Sequence, residues 1–461
     1  MVQCGVLDAA LDPTDADWSA ARIAAAVKRR EVSPVEIVEA CLDRIAHDRT
    51  NAVVTVVDDA LERARDAERA VMRGDETGPL HGVPFTAKDV LDTEGTRTTA
   101  GSRLLARHVP RRDAPAVATM RSAGAILVGK TNCPEFALEP RAANPVFGTT
   151  RHPLDPALAP GGSSGGCAAA VAGRLVPISL GTDYGGSVRF PAHCTGTVGL
   201  RPTPGAVPAG GQRPAPPAGS PRARFSLVGP LARTVADVAL WLRAARALPA
   251  GGRRDPEPVA CAWTDGEGTV AVRADLVDAV ARAATLLAAH GHRVTREAPP
   301  GLDAAQPLFG ALRATDDYAD LARLARGRER ELTPRIRSLL DGVEPHDPGA
   351  AAALLASAVQ LRARVCSFLD RYPVLLLPVA VVPAFATGST ELDVDGVRHV
   401  VDDMTILAPC RAVSLLGLPA LSVPAGTSRD GLPVGVQVVG RPGREDQILA
   451  VAATLEGGAP P

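Results

Sequence analysis

Apolar and polar positions along the chain predict alternating helices and strands. Ser33-Pro34-Val35-Glu36 has the pattern of a capping box with proline at the first helical position, which predicts a helix to about His47. The run "AVVTVV" from Ala52 predicts a strand, and residues 58–73 predict a helix that ends at Gly74. "GVPFTAKDV" from Gly82 predicts a buried strand. The alternation indicates an α/β fold centred on a sheet.

A second helix–strand unit is predicted further along the chain. In "SSGGCAAAVAGRLVPISLGTD" a glycine-rich turn enters an alanine-rich helix that leads to a short strand. Strands return at "PVLLLPVAVV", "ALSVPAG" and "VGVQVVG". We expect residues 203–224, rich in Pro and Gly, to form an irregular surface segment, and residues 256–372 to be a mostly helical insertion over the same sheet. The prediction is one domain, 1–461, with core motifs in 80–240 and 373–457.

Composition narrows the classes of function. The 461 residues are 46% hydrophobic, which is ample for a folded core. The 50 basic and 51 acidic residues leave a formal net charge of −1, so no overall field attracts nucleic acid or an anionic membrane. The most apolar run, 14 residues from Pro373, contains three prolines and is too short to span a bilayer. We therefore expect no nucleic-acid partner and no membrane partner.

Cysteine usage and the N-terminus bear on location. The eight cysteines are scattered, without a CxxC pair or zinc-like spacing, which fits reduced thiols and no metal site. The first residues are acidic and lack the basic and apolar regions of a secretory signal. The expected location is the cytoplasm.

The stretch "LGTDYGGSVRFPA" places Ser187 after two glycines. Such a turn lets main-chain N–H groups approach a ligand, because no Cβ stands in the way, and it can form an oxyanion hole. A serine hydroxyl there is well placed to attack a carbonyl but needs a base. His193 is the obvious local candidate, yet it lies in a proline-interrupted segment without a matching acid. A packed or solvated histidine is the favoured interpretation.

A second glycine-rich stretch, residues 162–166, matches GxSxG around Ser164. A nucleophile elbow follows a strand, whereas "LDPALAPG" before this stretch is a turn-rich loop, so we reject the elbow. The glycines fit neither GxxxxGK[ST] nor GxGxxG, and nucleotide binding is not supported.

Three segments together resemble the diagnostic motifs of the amidase signature hydrolases: "GVPFTAKDV", "PGGSSGGCAAAVA" and "GTDYGGSVRFPA". Ser163 and Ser187 are 24 residues apart, as in that family. "GKTNCPEFA", "GPLARTVADVAL" and "GLPVGVQVVGRP" extend the resemblance towards both ends, while residues 203–224 and the middle helical stretch match poorly. The resemblance implies an α/β/α sandwich with a large mixed central sheet of roughly ten strands covered by helices.

The resemblance also implies the roles of individual residues. Ser187 would be the nucleophile, Ser163 a bridging acid/base and Lys88 the base of a Ser-Ser-Lys triad. Lys88 can act only when neutral, which burial would favour by lowering its pKa. The family places a cis peptide bond between Gly162 and Ser163.

Further residues of the serine loop have implied roles. The main-chain N–H groups of Tyr184, Gly185, Gly186 and Ser187 would form the oxyanion hole. For Asp183 and Arg189 the resemblance supports a structural role through charge-assisted hydrogen bonds, and an ordinary surface ion pair is the alternative.

The chain departs from the family pattern at three positions. Tyr184 replaces a common Thr or Ile, which changes the shape of the pocket without deleting a main-chain donor. His152 and Ser414 each replace a common Asn, and these changes concern substrate preference. His290-Gly291-His292 has no third ligand in register, so we predict a turn at a helix end.

The expected function is hydrolysis of a carboxamide C–N bond through a serine acyl-enzyme, without a cofactor, on a small-molecule amide. Homodimers are frequent in the family, so a homodimer is an expectation. One alternative is the amidase component of a tRNA-dependent amidotransferase, which releases ammonia from glutamine. Another is an acyl-transferring or esterase relative with the same triad, and a third is a non-catalytic binding protein on the same scaffold.

Overall fold

A central sheet organises the molecule in the computed structural model, which describes residue 15 and residues 17–248, 258–266, 270–343, 348–401 and 405–458. The N-terminal residues from which the absence of a signal was argued lie mostly outside these ranges. In the described residues the sheet has eleven strands in the order β1-β3-β2-β6-β8-β7-β14-β15-β11-β9-β10. Parallel and antiparallel pairs are mixed: β2 is parallel to β3 and β6, whereas β8 is antiparallel to β6 and β7. The expected large mixed sheet is confirmed.

The strands of this sheet are β1 Val53–Val56, β2 Pro84–Lys88, β3 Ile126–Thr131, β6 Ile178–Asp183, β7 Val198–Arg201, β8 Leu227–Ala232, β9 Ala260–Trp263, β10 Arg293–Arg296, β11 Val374–Pro378, β14 Ala420–Thr427 and β15 Pro433–Gly440. Two small hairpins lie outside it, β4 Ala143–Asn144 with β5 Gly148–Thr149, and β12 Glu391–Val394 with β13 Val397–Val400.

The α-helices that cover the sheet are α1 Ala20–Lys28, α2 Pro34–His47, α3 Ala60–Arg73, α4 Pro115–Ser122, α5 Gly165–Ala172, α6 Arg189–Thr195, α7 Pro221–Phe225, α8 Val235–Ala244, α9 Ala274–Ala289, α10 Ala305–Ala314, α11 Ala319–Ala325, α12 Pro334–Asp341, α13 Pro348–Arg371, α14 Ala408–Leu415 and α15 Glu445–Gly458.

Local sequence signals predicted the N-terminus of α2 and the C-terminus of α3 correctly, although α1 was not predicted. Helix α2 begins at the predicted capping box, where the Ser33 side chain accepts from Val35 N and Glu36 Oε2 accepts from Ser33 N. Helix α3 ends at Gly74, which has the left-handed conformation with φ of 79°. Each cap satisfies backbone groups that the helix itself leaves unpaired, which is why these boundaries were readable from sequence.

The prediction for residues 256–372 is only partly right. The stretch is mostly helical, but it also supplies β9 and β10, which extend one edge of the central sheet beside β11. Strand β10 is short, rich in arginine and largely exposed, as an edge strand can be. Its sequence, "RVTR", therefore lacks the apolar run that identified the buried strands.

One described helix, Gly349–Arg371, is long and apolar enough to cross a membrane by length and composition, with a mean hydropathy of 1.3. One face of it is buried against helix α10 and neighbouring strands through Leu361, Val365 and Leu369. The opposite face carries charges such as Arg364 and Asp370. This division into two faces is typical of a helix that covers a protein core.

The sheet brings the three predicted motifs to one edge. Strands β2 and β6 are adjacent and parallel, with Ala87 opposite Leu180, so Lys88 and Asp183 end their strands on the same side. Helix α5 begins just after Ser164, and Ser187 lies in the turn between β6 and α6. Side chains that follow parallel strands at one sheet edge are a common origin of α/β active sites.

Candidate active site

Lys88 is fully buried and its ammonium nitrogen contacts three hydroxyls. Nζ lies 2.6 Å from Ser163 Oγ, 3.0 Å from Ser164 Oγ and 3.0 Å from Thr182 Oγ1. None of these partners is a carboxylate. A neutral amine has two N–H donors and one lone pair, so the same three contacts can be kept with two hydroxyls accepting and one donating. The geometry therefore suits both protonation states of the lysine.

Burial sets the charge of this lysine. Removal from water lowers the pKa of Lys88 to about 8, and the more distant Cys133, Cys167 and Asp183 offset only part of that effect. A lysine in water titrates above pH 10. A substantial fraction of Lys88 is consequently neutral at mildly alkaline pH, which is the state that can accept a proton.

The loop that carries Ser163 is held against Lys88 by close packing. The Gly162–Ser163 peptide bond is cis, as the resemblance implied. A Cβ on Gly162 would stand 2.5 Å from Arg141 N, so only glycine fits there. Ser164, the serine of the rejected elbow, is bound on several sides: it accepts from Lys88 and from Thr182 N and donates to Thr182 O. Its hydroxyl serves the packing of this loop against β6.

The turn that carries Ser187 is fixed by a buried ion pair. Asp183 Oδ1 lies 2.8 Å from Arg189 Nη2, and Asp183 Oδ2 lies 3.0 Å from Arg189 Nε. Both side chains are fully buried. Burial raises the pKa of the Asp183 carboxyl, but the attraction of Arg189 and Arg201 outweighs it and the pKa lies well below its ordinary value. The alternative of an ordinary surface pair does not fit this geometry.

The Asp183 carboxylate accepts a hydrogen bond from one of the predicted oxyanion donors, Gly186 N–H. Gly186 N–H donates to Asp183 Oδ1 at 2.9 Å, so it is committed to the loop itself. No hydrogen bond from the N–H of Tyr184, Gly185 or Ser187 is formed within the described residues. The predicted set of four donors is therefore reduced to these three, because a carboxylate inside the turn takes the remaining one.

The contact between the two serine loops is made by main chain. Ser164 N donates to Ser187 O at 3.1 Å. Within the described residues no hydrogen bond joins Ser163 Oγ to Ser187 Oγ, whereas Ser163 Oγ is already bonded to Lys88. Both serines are buried, with 1% and 4% of their surfaces exposed. Rotation about one Cα–Cβ bond moves a hydroxyl by more than about 1 Å, and such contacts commonly tighten only with substrate.

His193 is a packed histidine, as favoured from the sequence. It is 1% exposed, Gly435 N donates to its Nδ1 at 3.0 Å, and its Nε2 lies 3.1 Å from Val382 O. Burial lowers the pKa of its imidazole to about 4, so the ring is neutral. The segment around it is helix α6 rather than an interrupted stretch, because Pro191 lies in the first turn, where no intrahelical N–H bond is needed.

Two of the departures from the family pattern are structural. His152 is 2% exposed, with Nε2 2.9 Å from Cys194 O, and Ser414 Oγ accepts from Arg189 Nη2 at 2.7 Å. Their described hydrogen bonds are with the protein itself, so the substrate preference that these departures leave open is not decided by them. His290 and Gly291 form the predicted end of helix α9, with Gly291 at φ of 88°. The described residues contain no group of three or more His, Cys, Asp or Glu placed to hold a metal ion.

Sequence reasoning missed three buried polar residues beside the site. Lys130 donates to Thr93 Oγ1 and Thr98 Oγ1, both at 2.8 Å, and burial lowers its pKa to about 8. Arg201 Nη1 binds Asp183 O at 2.5 Å, and Gln437 Oε1 accepts from Arg189 Nη1. Each is a lone polar residue in an apolar strand, in "AILVGKT", "VGLRP" and "VGVQVVG". A lone polar residue in an apolar strand is also the pattern at Lys88, so the same pattern could have identified these three residues.

An aromatic cluster adjoins the serine loop, and one of its members, Phe225, also lines a cavity to which no residue of that loop contributes. The Tyr184 ring lies 5.3 Å from the Phe309 ring and 6.2 Å from the Phe225 ring, measured between centroids. Phe225 also lines a cavity of about 310 Å³ together with residues 217–221, Leu312 and Leu355. This volume is at the lower end of the range for small-molecule sites.

Comparisons with known proteins identify the family of the chain. A family model described as Amidase matches residues 36–449. The chain is 35% identical to the A component of glutamyl-tRNA(Gln) amidotransferase from Geobacter sp. (strain M21), over 93% of this chain and 95% of the relative. It is 32% identical to indoleacetamide hydrolase from Bradyrhizobium diazoefficiens, over 95% of this chain and 86% of the relative.

Solved structures extend the comparison to the whole fold. A crystal structure of an amidase superposes with a TM-score of 0.86 at 29% identity and covers 96% of this chain and 100% of its own. A bacterial aryl acylamidase of the amidase signature family superposes with a TM-score of 0.83 at 27% identity, over 96% of this chain and 99% of its own. Sequence, fold and the lysine–serine contact agree: the chain belongs to the amidase family of hydrolases.

Proposed function

We propose that the protein hydrolyses a carboxamide through an acyl-enzyme on Ser187, with Ser163 and Lys88 as the proton relay. The observation that carries this proposal is the 2.6 Å contact between Lys88 Nζ and Ser163 Oγ in a fully buried setting. A buried lysine without a carboxylate partner is an expensive feature, and its lowered pKa fits a general base.

The proposed sequence of proton transfers follows from these positions. Neutral Lys88 accepts the proton of Ser163, and Ser163 accepts that of Ser187 as Ser187 Oγ attacks the amide carbon. The oxyanion receives hydrogen bonds from the free N–H groups of the turn. Protons return through Ser163 to the departing nitrogen, which leaves as ammonia or an amine. Water then attacks the ester and releases a carboxylate.

The test combines labelling with turnover. Purified protein should release carboxylate from at least one amide of an aliphatic, aryl and amino-acid panel, measured by mass spectrometry. A fluorophosphonate should add once per chain, on Ser187, and Ser187→Ala should abolish both turnover and labelling. Labelling confined to Ser164 would contradict the assignment and restore the elbow.

A second candidate function is release of ammonia from glutamine within a tRNA-dependent amidotransferase. It is favoured by the 35% identity to a component of such an enzyme, although the chain is also 32% identical to indoleacetamide hydrolase. Both reactions use the same acyl-enzyme. Glutaminase activity that exceeds every other amidase activity, and that rises when a partner protein is added, would favour the amidotransferase.

Location and assembly complete the proposal. We propose a cytoplasmic enzyme that acts on a small-molecule amide, supported by the seven described cysteines, which are all free thiols. A homodimer remains an expectation from the family resemblance. Light scattering coupled to size-exclusion chromatography would give the mass: twice 47.5 kDa supports the dimer, and 47.5 kDa contradicts it.

A further inference from the structure

Tyr184 differs from its neighbours in the serine loop by being partly exposed. Between residues 175 and 195, which include β6, the loop and α6, every side chain before Gly196 is buried except that of Tyr184. The backbone on either side is fixed, since Asp183 is held by Arg189 and Gly186 N–H is held by Asp183. Tyr184 is therefore a partly exposed residue on a fixed turn, three residues before the proposed nucleophile Ser187.

The phenol of Tyr184 has no partner within the described part of the chain. Its oxygen is buried, and no hydrogen bond to it is formed there. Burial raises the pKa of the phenol above its ordinary value, so it stays neutral and can donate a hydrogen bond. A buried hydroxyl without a partner is unfavourable, and such groups usually have a partner in the functional complex.

Helix α10 packs Phe309 against the Tyr184 ring, and its Arg313 lies near the phenol. Phe309 contacts the Tyr184 ring, and Gln306 and Arg313 lie three residues before and four residues after it, on the same helix face. Gln306 Oε1 is a second buried polar atom without a hydrogen bond. Arg313 and Arg411 both lie near enough to the phenol to favour its ionised form. The acidic neighbour Asp316, whose charge opposes ionisation of the phenol, is paired with Arg222 at 2.9 Å.

Phe225 connects the Tyr184 ring to a neighbouring cavity. Phe225 forms part of the cavity wall and meets the Tyr184 ring edge to face. Leu312 and Leu355 supply further apolar wall, and Arg224 lies at the exposed side. An amide with one flat apolar arm would contact Tyr184 and Phe225 along this wall.

We propose that Tyr184 selects the substrate of the proposed amidase by donating a hydrogen bond from its phenol to an acceptor atom on one arm of the scissile amide. The substrate class is an amide with an aromatic or other planar arm that carries a carbonyl, ring nitrogen or carboxylate. The inference rests on the proposed function for its reaction and on Tyr184, Phe225 and Phe309 for its specificity.

The test uses matched pairs of amides that differ in the acceptor. The pairs are isonicotinamide with benzamide, 4-acetylbenzamide with 4-isopropenylbenzamide, and 4-carbamoylbenzoate with 4-isopropylbenzamide. The same groups on acetanilide probe the amine arm. For wild type, kcat/KM should be higher for the acceptor member of at least one pair. In Tyr184→Phe that preference should fall by about 3- to 10-fold for a neutral acceptor and by more than about 10-fold for the carboxylate.

Tyr372→Phe is the matched control, because its phenol already donates to Glu297 at 2.8 Å, in a different part of the chain. It should keep the wild-type preference. Thermal melting distinguishes a role in substrate selection from a role in stability. Tyr184→Phe removes a hydroxyl without a hydrogen bond in the described residues and should not lower Tm. Tyr372→Phe loses the hydrogen bond to Glu297 and should lower Tm. Equal loss of kcat/KM for both members of every pair, or an unchanged preference, would overturn the proposal.

Binding affinities test the role of Tyr184 independently of turnover. Calorimetry with Ser187→Ala and with the Ser187→Ala, Tyr184→Phe double variant measures Kd for each pair. The preference should be present in the first and lost in the second. Failure of all hydrolysis would overturn the proposed function alone, while an equal Kd preference in both variants would overturn the role of Tyr184.

Discussion

Asp183 and Arg189 form a two-point ion pair in which neither side chain is exposed to solvent. The pair closes the turn that carries Ser187, because the same carboxylate also accepts from Gly186 N and Val188 N. Charge and hydrogen bonds thus fix the main chain from which the proposed oxyanion donors project.

Removing one partner of this pair should damage both stability and rate. We expect Arg189→Met to lower the free energy of unfolding by roughly 3–5 kcal/mol, because Asp183 would remain buried with only Arg201 as its cation. kcat/KM should fall as the free N–H groups lose their alignment. Urea denaturation and amide turnover measure the two effects. Arg189→Lys keeps the positive charge but loses the planar guanidinium group, so its stability and kcat/KM should lie between those of wild type and Arg189→Met. Wild-type stability in Arg189→Met would contradict this account.

The pH dependence should follow the protonation of Lys88. Since the protonated lysine cannot accept a proton, kcat/KM should rise with pH along one ionisation near pH 8 and level off above it. Lys88→Met should lose this rising limb together with about 10²- to 10⁴-fold or more of the rate. A profile that is flat from about pH 6 to 10 would exclude Lys88 as the base.

Lys130 is the control for that assignment, because its pKa is also about 8 and it lies on the neighbouring strand. Lys130→Met leaves Thr93 and Thr98 without their shared donor. We expect lower Tm, with the alkaline-rising limb of the surviving activity retained. Loss of the limb in Lys130→Met but not in Lys88→Met would transfer the ionisation to Lys130.

Ser164 should affect the rate without being the nucleophile. Ser164→Ala removes one of three hydroxyls around Lys88 Nζ and the contact with Thr182. A decrease in kcat/KM of about 10- to 100-fold is expected for one such bond to a charged group. Intact-mass spectra should still show one fluorophosphonate adduct on Ser187. If Ser164→Ala were inactive and no longer labelled by the fluorophosphonate, Ser164 would be required for the nucleophilic step itself.

Replacement of His193 should separate packing from chemistry. A pKa of about 4 leaves the imidazole neutral over the working range, so His193→Ala should keep the shape of the pH profile. It should nevertheless melt at lower temperature, since Gly435 N and Val382 O lose their partner. Thermal melts and the pH profile of the same preparation provide the comparison, and loss of the limb would indicate a histidine base.

Short-range patterns explain why much of the fold was predictable. The capping box at Ser33 and the left-handed Gly74 are local features, so their helix ends could be read from a few residues. Strand β10 could not be predicted in this way. Its four residues form a strand because they pair with β9, and they show no apolar pattern. The β12–β13 hairpin was missed for a related reason, as most of its positions are charged or exposed.

In the candidate site, too, some features could be predicted from the sequence and others depend on long-range packing. The resemblance to the amidase signature family implied that Lys88 and Ser163 meet, and they do. Which main-chain donors stay free depended on where the Asp183 carboxylate turns, and that is a property of three-dimensional packing. The distant partners of Arg189, Ser414 and Gln437, lie 225 and 248 residues away along the chain, which no local pattern reveals.

Helix α10 lies in the stretch that resembles the family least, yet it places Phe309 against Tyr184. Lys88, Ser163 and Ser187 all come from the first half of the chain. The proposed catalytic residues and the proposed selectivity residue's aromatic partner thus come from separate segments that meet only in the folded molecule. If both proposals hold, exchanging residues 305–317 between relatives should change the substrate range and leave the nucleophile unaltered.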